Sequence, residues 1–552
     1  MKLKSYLLIV CIGLGTLVFG QSPHFLWAKK YGLIGKNEAV MGSGIDGSGN
    51  LYLAGRYYDS TSFDGQQLMQ GPAGDSLGVF VAKLNEQGAI IWVNSYRSAR
   101  PITHTVLTVQ DNGISYLAGR FIGDLTIGTF NLNSGANDPQ GGSIFLAKFA
   151  ADGTVSWAIK FEAKDAKSMD IELDNNGNIL MTGSYKGSIN FGGGKVLNGQ
   201  PATAMNCFIA RFDPFNGVAD WAVQARSNNL GEGESLISGP DGAIYVGGIF
   251  VDTLEFSPSV KFVSVEPDVN SPENAFVSKY DMNGNFVWAK QITGLINARV
   301  FLTFCNQNVY AAVSTLMTFG YASESATYGN YLIKIDKTNG NKVWMKKTSL
   351  RFYGLESDGD SAIYYMNMGS LNYYFDSYST TTGSGELALG KLDANGVFKW
   401  VEMRGDAVFP LVGFKAKNKK VFMGGSMMGF GTTEFETGIS LHTGEFWSQD
   451  AWYALFNDTG ESILPNALTP VEGDHLGFTL YPNPGSGPIQ LHCKDIPANS
   501  QVFIMDMQGK VVHQQAVTQE TQNMDLSNLK GGVYLVKLAH QNGTQTQRLV
   551  LY

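Results

Sequence analysis

Side chains with catalytic chemistry are sparse along this chain, and none falls into a working spacing. His24, His104 and His442 lie far apart in sequence, so they form no local metal or acid–base motif. No His-Glu-x-x-His pattern, which would set two ligands and a base on one helix face, occurs. A Gly-x-Ser-x-Gly nucleophile turn is absent from any plausible context; Gly42-Ser43-Gly44 and Gly383-Ser384-Gly385 read as turns. Gly192-Gly193-Gly194-Lys195 has the glycines of a phosphate loop but neither the full spacing nor a following helix, which leaves a strand-connecting turn. The runs Asp174-Asn175-Asn176-Gly177-Asn178 and Asp281-Met282-Asn283-Gly284-Asn285 offer oxygens to Ca²⁺. An EF-type loop needs a glutamate at its twelfth position, and hairpin chemistry accounts for both runs without a metal. No catalytic, cofactor-binding or metal-ligating residue is therefore assigned, and no cofactor is expected.

Tryptophan is the other residue type whose placement invites a function, since an indole face stacks on sugars. Trp27, Trp92, Trp157, Trp221, Trp288, Trp344 and Trp400 follow one another at intervals of 65, 65, 64, 67, 56 and 56 residues. That regularity, with apolar neighbours on alternate positions, points to packing between repeated units instead. Each unit reads Asp-x-x-Gly-Asn, an apolar strand ending in Gly, a variable stretch, an apolar strand ending in Ala-Lys, a turn and the Trp. In the first copy these are residues 46–50, Leu51-Tyr52-Leu53-Ala54-Gly55, Phe80-Val81-Ala82-Lys83-Leu84 and Trp92. Copies two to four repeat the pattern, and copies five to seven lose the Asp-x-x-Gly-Asn turn.

Each unit supplies four strands; in copy two they are residues 105–109, 114–121, 144–149 and 155–161. Turn pairs such as Asp111-Asn112-Gly113 separate them, because Asn and Gly accept positive φ. Seven four-stranded antiparallel units predict a seven-bladed β-propeller; the competing architecture, an open β-solenoid, uses much shorter repeats. The seventh copy keeps Trp452 in its third strand but has Leu464 near the repeated Trp position, while Phe25-Leu26-Trp27-Ala28-Lys29-Lys30-Tyr31 has no copy before it. That segment is expected to pair into the last blade and latch the ring, with residues 461–464 competing for the slot. Aromatics outside the repeated frame, Tyr57-Tyr58, Tyr373-Tyr374-Phe375 and Phe446-Trp447, fall near the long connections between second and third strands. Loops on a rigid scaffold are where recognition sits, although these rings also suit capping of hydrophobic edges.

Composition agrees with a sheet protein. Of 552 residues, 44% are apolar, 12% aromatic, only 16% charged, and 66 are Gly. The chain is too apolar for disorder. A net charge of −8 and no basic block give nucleic-acid binding no support.

The first twenty residues are expected to be a cleaved signal peptide. Lys2 and Lys4 begin it, residues 7–19 form its apolar core, and Val18 and Gly20 suit a cut before Gln21. Cys11 lies inside that apolar run, away from a lipidation position. Cys207, Cys305 and Cys493 remain, widely spaced, and read as buried free thiols.

After residue 465 the texture changes. Residues 466–474 form a polar linker. Tyr481-Pro482-Asn483-Pro484 follows, then Asp506 with Gly509-Lys510 after a strand, then Gly532-Val533-Tyr534, then a closing Arg548-Leu549-Val550-Leu551-Tyr552. This order resembles the type A C-terminal sorting domain of the type IX secretion system, over residues 475–552. Residues 22–465 resemble the seven-bladed β-propeller repeat of secreted bacterial proteins. The resemblances imply an all-β chain, a seven-bladed β-propeller at 21–465 followed by a small Ig-like β-sandwich. They also imply delivery through the outer-membrane translocon, then release or attachment to surface lipopolysaccharide. The expected function is a secreted or surface-displayed binding or adhesion protein, more in keeping with a non-enzyme, for a glycan or protein ligand the sequence does not name. The alternative is an enzyme degrading extracellular polysaccharide or protein, with acidic residues gathered at the propeller channel. Paired carboxylates facing one pocket would favour that enzyme.

Overall fold

The computed structural model describes residues 24–458 and 478–551 apart from short connecting segments within each. It divides into two compact units, Met1–Pro465 and Asn466–Tyr552.

Among the described residues, the first unit holds seven four-stranded antiparallel sheets, called blades, arranged in a ring. Blade one is Ala39–Ile45, Leu51–Tyr58, Leu77–Leu84 and Ile90–Arg97, hydrogen-bonded in that order. Blades four, five and six repeat the arrangement from Leu230–Ser238, Val300–Cys305 and Arg351–Ser357 outward. Blades two and three share one long strand, Val155–Leu173. Its first part is the outer strand of blade two, paired with Ser143–Phe149, and its second part is the innermost strand of blade three, paired with Ile179–Asn190. The fourth strand expected to stop at residue 161 thus runs on to Leu173, with no Gly, Pro or Asn in the segment to break it. Each innermost strand contacts the next, and Val408–Lys417 of blade seven contacts Ala39–Ile45 of blade one, so the ring closes.

Closure uses the expected latch. His24–Tyr31 pairs antiparallel with Gln449–Asn457 as the outer strand of blade seven. The pairing covers an edge that would otherwise present unpaired N–H and C=O groups. The competing segment 461–464 lies outside the described residues.

The repeated residues are explained by contacts between neighbouring blades. The Trp of one blade lies on a positive-φ glycine in the outer hairpin of the next. A Cβ at Gly153 would come within 2.8 Å of Trp92, and one at Gly284 within 2.7 Å of Trp221. Trp92 Nε1 also donates to Ala151 O at 3.0 Å. The basic residue ending each third strand does the same work by charge: Lys148 donates to Pro214 O (2.8 Å), Arg211 to Met282 O (2.9 Å) and Lys279 to Lys337 O (3.0 Å). Lys83 and Lys279 also sit over the rings of Tyr52 and Tyr245. Apolar side chains of adjacent blades fill the space between sheets, as where Tyr245, Val277, Leu302 and Ile333 share one cluster.

The Asp-x-x-Gly-Asn segment is a self-sufficient turn. Asp46 Oδ1 accepts the N–H groups of Ser48 and Asn50, both at 2.9 Å. Asp174 and Asp281 repeat this, and their second oxygens take the side-chain amides of Asn178 and Asn285. Hairpin bonding therefore occupies the oxygens considered for Ca²⁺. Two blades that lost the motif turn differently: Asn306-Gln307 and Asn418-Lys419 each place two successive residues at positive φ, the geometry of a tight two-residue hairpin.

One expectation is corrected. Gly42-Ser43-Gly44 is no turn; it lies within Ala39–Ile45, the innermost strand of blade one. A Cβ at Gly44 would fall 2.4 Å from Val109, so this glycine lets the innermost strands of blades one and two approach. Gly192–Lys195 is a turn as read, with Lys195 N donating to Gly192 O.

The second unit is a small two-sheet sandwich. Phe478–Tyr481, Pro488–Cys493 and Thr521–Asp525 form one sheet; Val511–Ala516, Gln501–Met505, Gly532–His540 and Gly543–Leu551 form the other. Strand residues alternate buried and exposed, and Ile489, Leu491, Val502, Ile504, Val536, Leu538 and Leu549 make the core between the sheets.

Candidate functional site

All seven innermost strands line one cavity of about 300 Å³ at the centre of the ring. Their backbone is irregular there. Register shifts occur between Val40 and Gly42, Thr103 and Val106, Ser168 and Asp170, Gly233 and Ser235, Phe352 and Gly354, and Pro410 and Gly413. An inserted residue re-aims its neighbours and leaves backbone donors without a partner in the strand ladder. The acids of the cavity meet such donors. Asp170 Oδ2 accepts Leu236 N of the next blade at 2.7 Å, and Oδ1 accepts Ile171 N at 2.9 Å. Glu234, itself the inserted residue of blade four, accepts Val300 N of blade five at 3.0 Å.

A second tier lies one turn of the pleat along. Glu172, Glu356 and Lys415 occupy equivalent positions on blades three, six and seven, opposite Leu180, Tyr364 and Phe422 in their respective hairpins. Lys415 Nζ lies 2.5 Å from Glu172 Oε1 and 3.1 Å from Glu356 Oε1. One ammonium therefore spans from the last blade to the third and also holds its neighbour in blade six.

Burial and mutual repulsion shift these groups strongly. Burial, reinforced by the Glu172 charge, pushes the Asp170 carboxyl up to about 7. Burial raises Glu234 to about 8 despite the Val300 N–H. Burial also raises Glu356 to about 7, with Lys415 pulling the other way. Burial by itself would depress the Lys415 ammonium; Glu172 and Glu356 outweigh it and hold it above its ordinary value. Near neutral pH the site thus carries a firm cation and carboxyls that are only partly ionised.

Among the described residues, none singled out for chemistry in the sequence lines this cavity except Ser43 and its flanking Gly42; Gly383-Ser384-Gly385 lies outside the described residues. His24 sits on the outer latch strand and His104 in the irregular part of Thr103–Val109. Burial and Lys167 push His104 down to about 4, so it is neutral at pH 7. Cys207, Cys305 and Cys493 are buried free thiols. Among the described residues no group of three or more His, Cys, Asp or Glu side chains is placed to hold a metal ion. Of the aromatics outside the repeat, Tyr57 is 1% exposed and belongs to the blade core; Tyr373-Tyr374-Phe375 forms a short strand, and Phe446-Trp447 lies outside the described residues. The connections near them are small hairpins. Those of blades four to six pair onto the outer strand of the preceding blade, as Leu254 does with Ser227.

The cavity acids were missed because three blades supply them and a fourth supplies Lys415. Their local trace is a charged residue at the innermost position of an otherwise apolar strand, shortly before the hairpin turn: Glu172 before Asp174, Glu356 before Asp358, Lys415 before Asn418.

The sorting-motif residues have folding roles in the second unit. Asn483 Oδ1 accepts Val550 N at 3.0 Å, tying the Tyr481–Asn483 segment to the last strand. Tyr481 itself is exposed. Asp506 N donates to Lys510 O, and Asp506 Oδ1 accepts Lys510 N, closing the hairpin. Gly532 and Val533 open the strand Gly532–His540, and buried Tyr534 donates its hydroxyl to Lys530 O at 2.7 Å. Pro484 and Gly509 lie outside the described residues.

Comparison with known proteins bears on the two units unequally. A curated relative, an uncharacterized WD repeat-containing protein of Acanthamoeba polyphaga mimivirus, is 25% identical over 193 residues, covering 32% of this chain. The match spans only 14% of that relative's length. Similar solved structures include BamB from Moraxella catarrhalis, with 10% identity, TM-score 0.33, and 81% of this chain and 99% of that one covered. Another is PorZ, a surface component of the type IX secretion system of Porphyromonas gingivalis, with 12% identity, TM-score 0.24, and 93% and 81% covered. Residues 479–552 match the secretion system C-terminal sorting domain family. Residues 479–552 of the second unit are thus similar to a secretion system C-terminal sorting domain, which implies export to the cell surface or the medium.

Proposed function

We propose that this protein is a binding module carried outside the cell by the type IX system. Residues 1–20 act as a cleaved signal peptide for the inner membrane, 21–465 form the displayed propeller, 466–474 a linker, and 475–552 a type A sorting domain read by the outer-membrane translocon. The product is released or joined to surface lipopolysaccharide, and the propeller engages a ligand outside the cell. The match of residues 479–552 to the sorting family carries the export half of this reading. Binding in preference to catalysis is supported by the engagement of the cavity acids. Glu172 and Glu356 are both held by Lys415, and each oxygen of Asp170 already accepts a backbone N–H.

Deleting residues 475–552 tests the export half. The propeller is expected to accumulate inside the outer membrane; its continued appearance at the surface or in the medium overturns the reading. One observation favours the second reading, a polymer-degrading enzyme: four carboxyls face one cavity, and three of them sit near 7 to 8. Hydrolysis of a polysaccharide or protein substrate, lost in Glu234→Gln, would establish it.

A further inference from the structure

We propose that the central cavity binds a small organic cation, an ammonium group on a compact apolar body. The inference rests on the binding-module reading and names the ligand chemistry for it. The cavity, of about 300 Å³, is at the small end of ligand sites. Asp170, Glu172, Glu234 and Glu356 line it, and Lys415 is the sole Lys or Arg among its described lining residues. That single ammonium is already committed to Glu172 and Glu356, while Asp170 and Glu234 make no ion pair among the described residues. When Asp170 and Glu234 ionise, no Lys or Arg among the described lining residues pairs with them, and Arg299 acts on Glu234 from outside the lining. The Lys415 contact also shows which chemistry the cavity accepts, a tetrahedral N–H donor between carboxylates.

Two further observations select an organic cation over a bare metal. First, no three acids converge as metal ligands among the described residues. Second, Phe301, Phe304, Tyr353 and Phe414 also line the cavity while packing against the blade cores, which gives it the apolar wall that an alkylammonium body needs. Ser43 supplies an independent pointer to a ligand. It lines the cavity, is 6% exposed, and its hydroxyl has no partner; a buried hydroxyl without a partner costs stability unless a ligand or water meets it.

Protons compete with the cation. Asp170 faces Glu172 and Lys415, and Glu234 faces Arg299, Glu232 and Glu273. Displacing one proton from an acid that titrates near 7 makes affinity rise about tenfold between pH 6 and pH 8.

The test is calorimetric titration of the intact purified protein with choline and n-butylammonium, against their neutral counterparts 3,3-dimethyl-1-butanol and 1-butanol. At least one cation is expected to bind one to one, at least tenfold more tightly than its neutral counterpart and about tenfold more tightly at pH 8 than at pH 6. Glu234→Gln and Asp170→Asn should each weaken binding at least tenfold. Glu234→Gln keeps an oxygen for the Val300 N–H, whereas Asp170→Asn keeps one of the two oxygens that meet Leu236 N and Ile171 N; unchanged unfolding midpoints verify the fold, and if one variant misfolds, the other decides. Equal binding of a neutral counterpart, no heat with either cation, or binding indifferent to both substitutions overturns the proposal. A protein that binds a cation and also degrades a polymer overturns the binding-module reading alone. One that degrades nothing and ignores both cations overturns this assignment alone.

Discussion

Lys415 reaches across the centre of the ring to Glu172, 243 residues away in sequence, and holds its carboxylate at 2.5 Å. Blades three and seven are not neighbours, so this contact joins parts of the ring that no sheet or blade interface connects. With Glu356 on the same ammonium, Lys415 neutralises two acids that would otherwise repel one another in a confined space. Removing one partner of such a group leaves charge uncompensated, which costs more than the group's net contribution. Lys415→Met is therefore expected to lower stability by about 2 kcal/mol, below the fully buried range because water reaches all three side chains. Adding Glu172→Gln should restore part of the loss. Urea unfolding of the two variants checks this, and a single variant within about 0.5 kcal/mol of the parent would refute it.

The same acids set a pH dependence opposite to that of most carboxylates. Asp170 and Glu356 titrate near 7 and Glu234 near 8 in the folded protein, against about 4 in an unfolded chain. Between pH 4 and 8 the folded state thus holds protons that the unfolded state has released, and stability falls as pH rises through that window. Lys415 is raised, so its contribution is complete below its unfolded value near 10 and stays constant across this range. Asp46 is lowered: burial opposes ionisation, but hydrogen bonds from Asn50 and the Lys83 charge prevail. Its contribution is lost only as pH falls below about 4. The urea midpoint should therefore be higher at pH 5 than at pH 8.5. Asp170→Asn should reduce that difference by about 1 kcal/mol once solvent access is discounted. Equal pH slopes in parent and variant would remove the argument.

What the sequence made legible follows from how local each cause is. Asp46 accepts the amides of Ser48 and Asn50 within its own turn, so that motif is readable one residue at a time. The Trp period is readable for a different reason. Trp92 needs Gly153, and Trp221 needs Gly284, at matching places in successive blades, so the requirement recurs with the length of the repeat. Where Asn306-Gln307 and Asn418-Lys419 replaced the glycine turn with a two-residue turn that also reverses the chain, the motif faded and the blade did not. The cavity follows no such rule. Asp170, Glu234, Glu356 and Lys415 meet only because the ring closes, and each is isolated in its own strand. Ser43 was misread for a related reason: Gly-Ser-Gly marks a turn in isolation, whereas here the glycines make room for the neighbouring blade.

Ring closure itself depends on the latch, and Phe25 is its most buried side chain. It is 2% exposed and meets Phe435 and Phe456 edge-on at 5.3 and 5.1 Å. Beside it, Trp27 Nε1 donates to Glu86 O at 2.9 Å and Lys29 Nζ to Gly88 O at 2.7 Å, so the latch strand also grips blade one. Phe25→Ala removes the aromatic contact and leaves a cavity, at a cost of about 3–5 kcal/mol. The effect should exceed that cost alone, because a frayed latch uncovers the Gln449–Asn457 edge and invites pairing with other chains. Light-scattering during thermal unfolding should then show association at lower temperature than for Lys415→Met, which weakens the ring without exposing an edge. If the two variants associate alike, the latch is not what guards that edge.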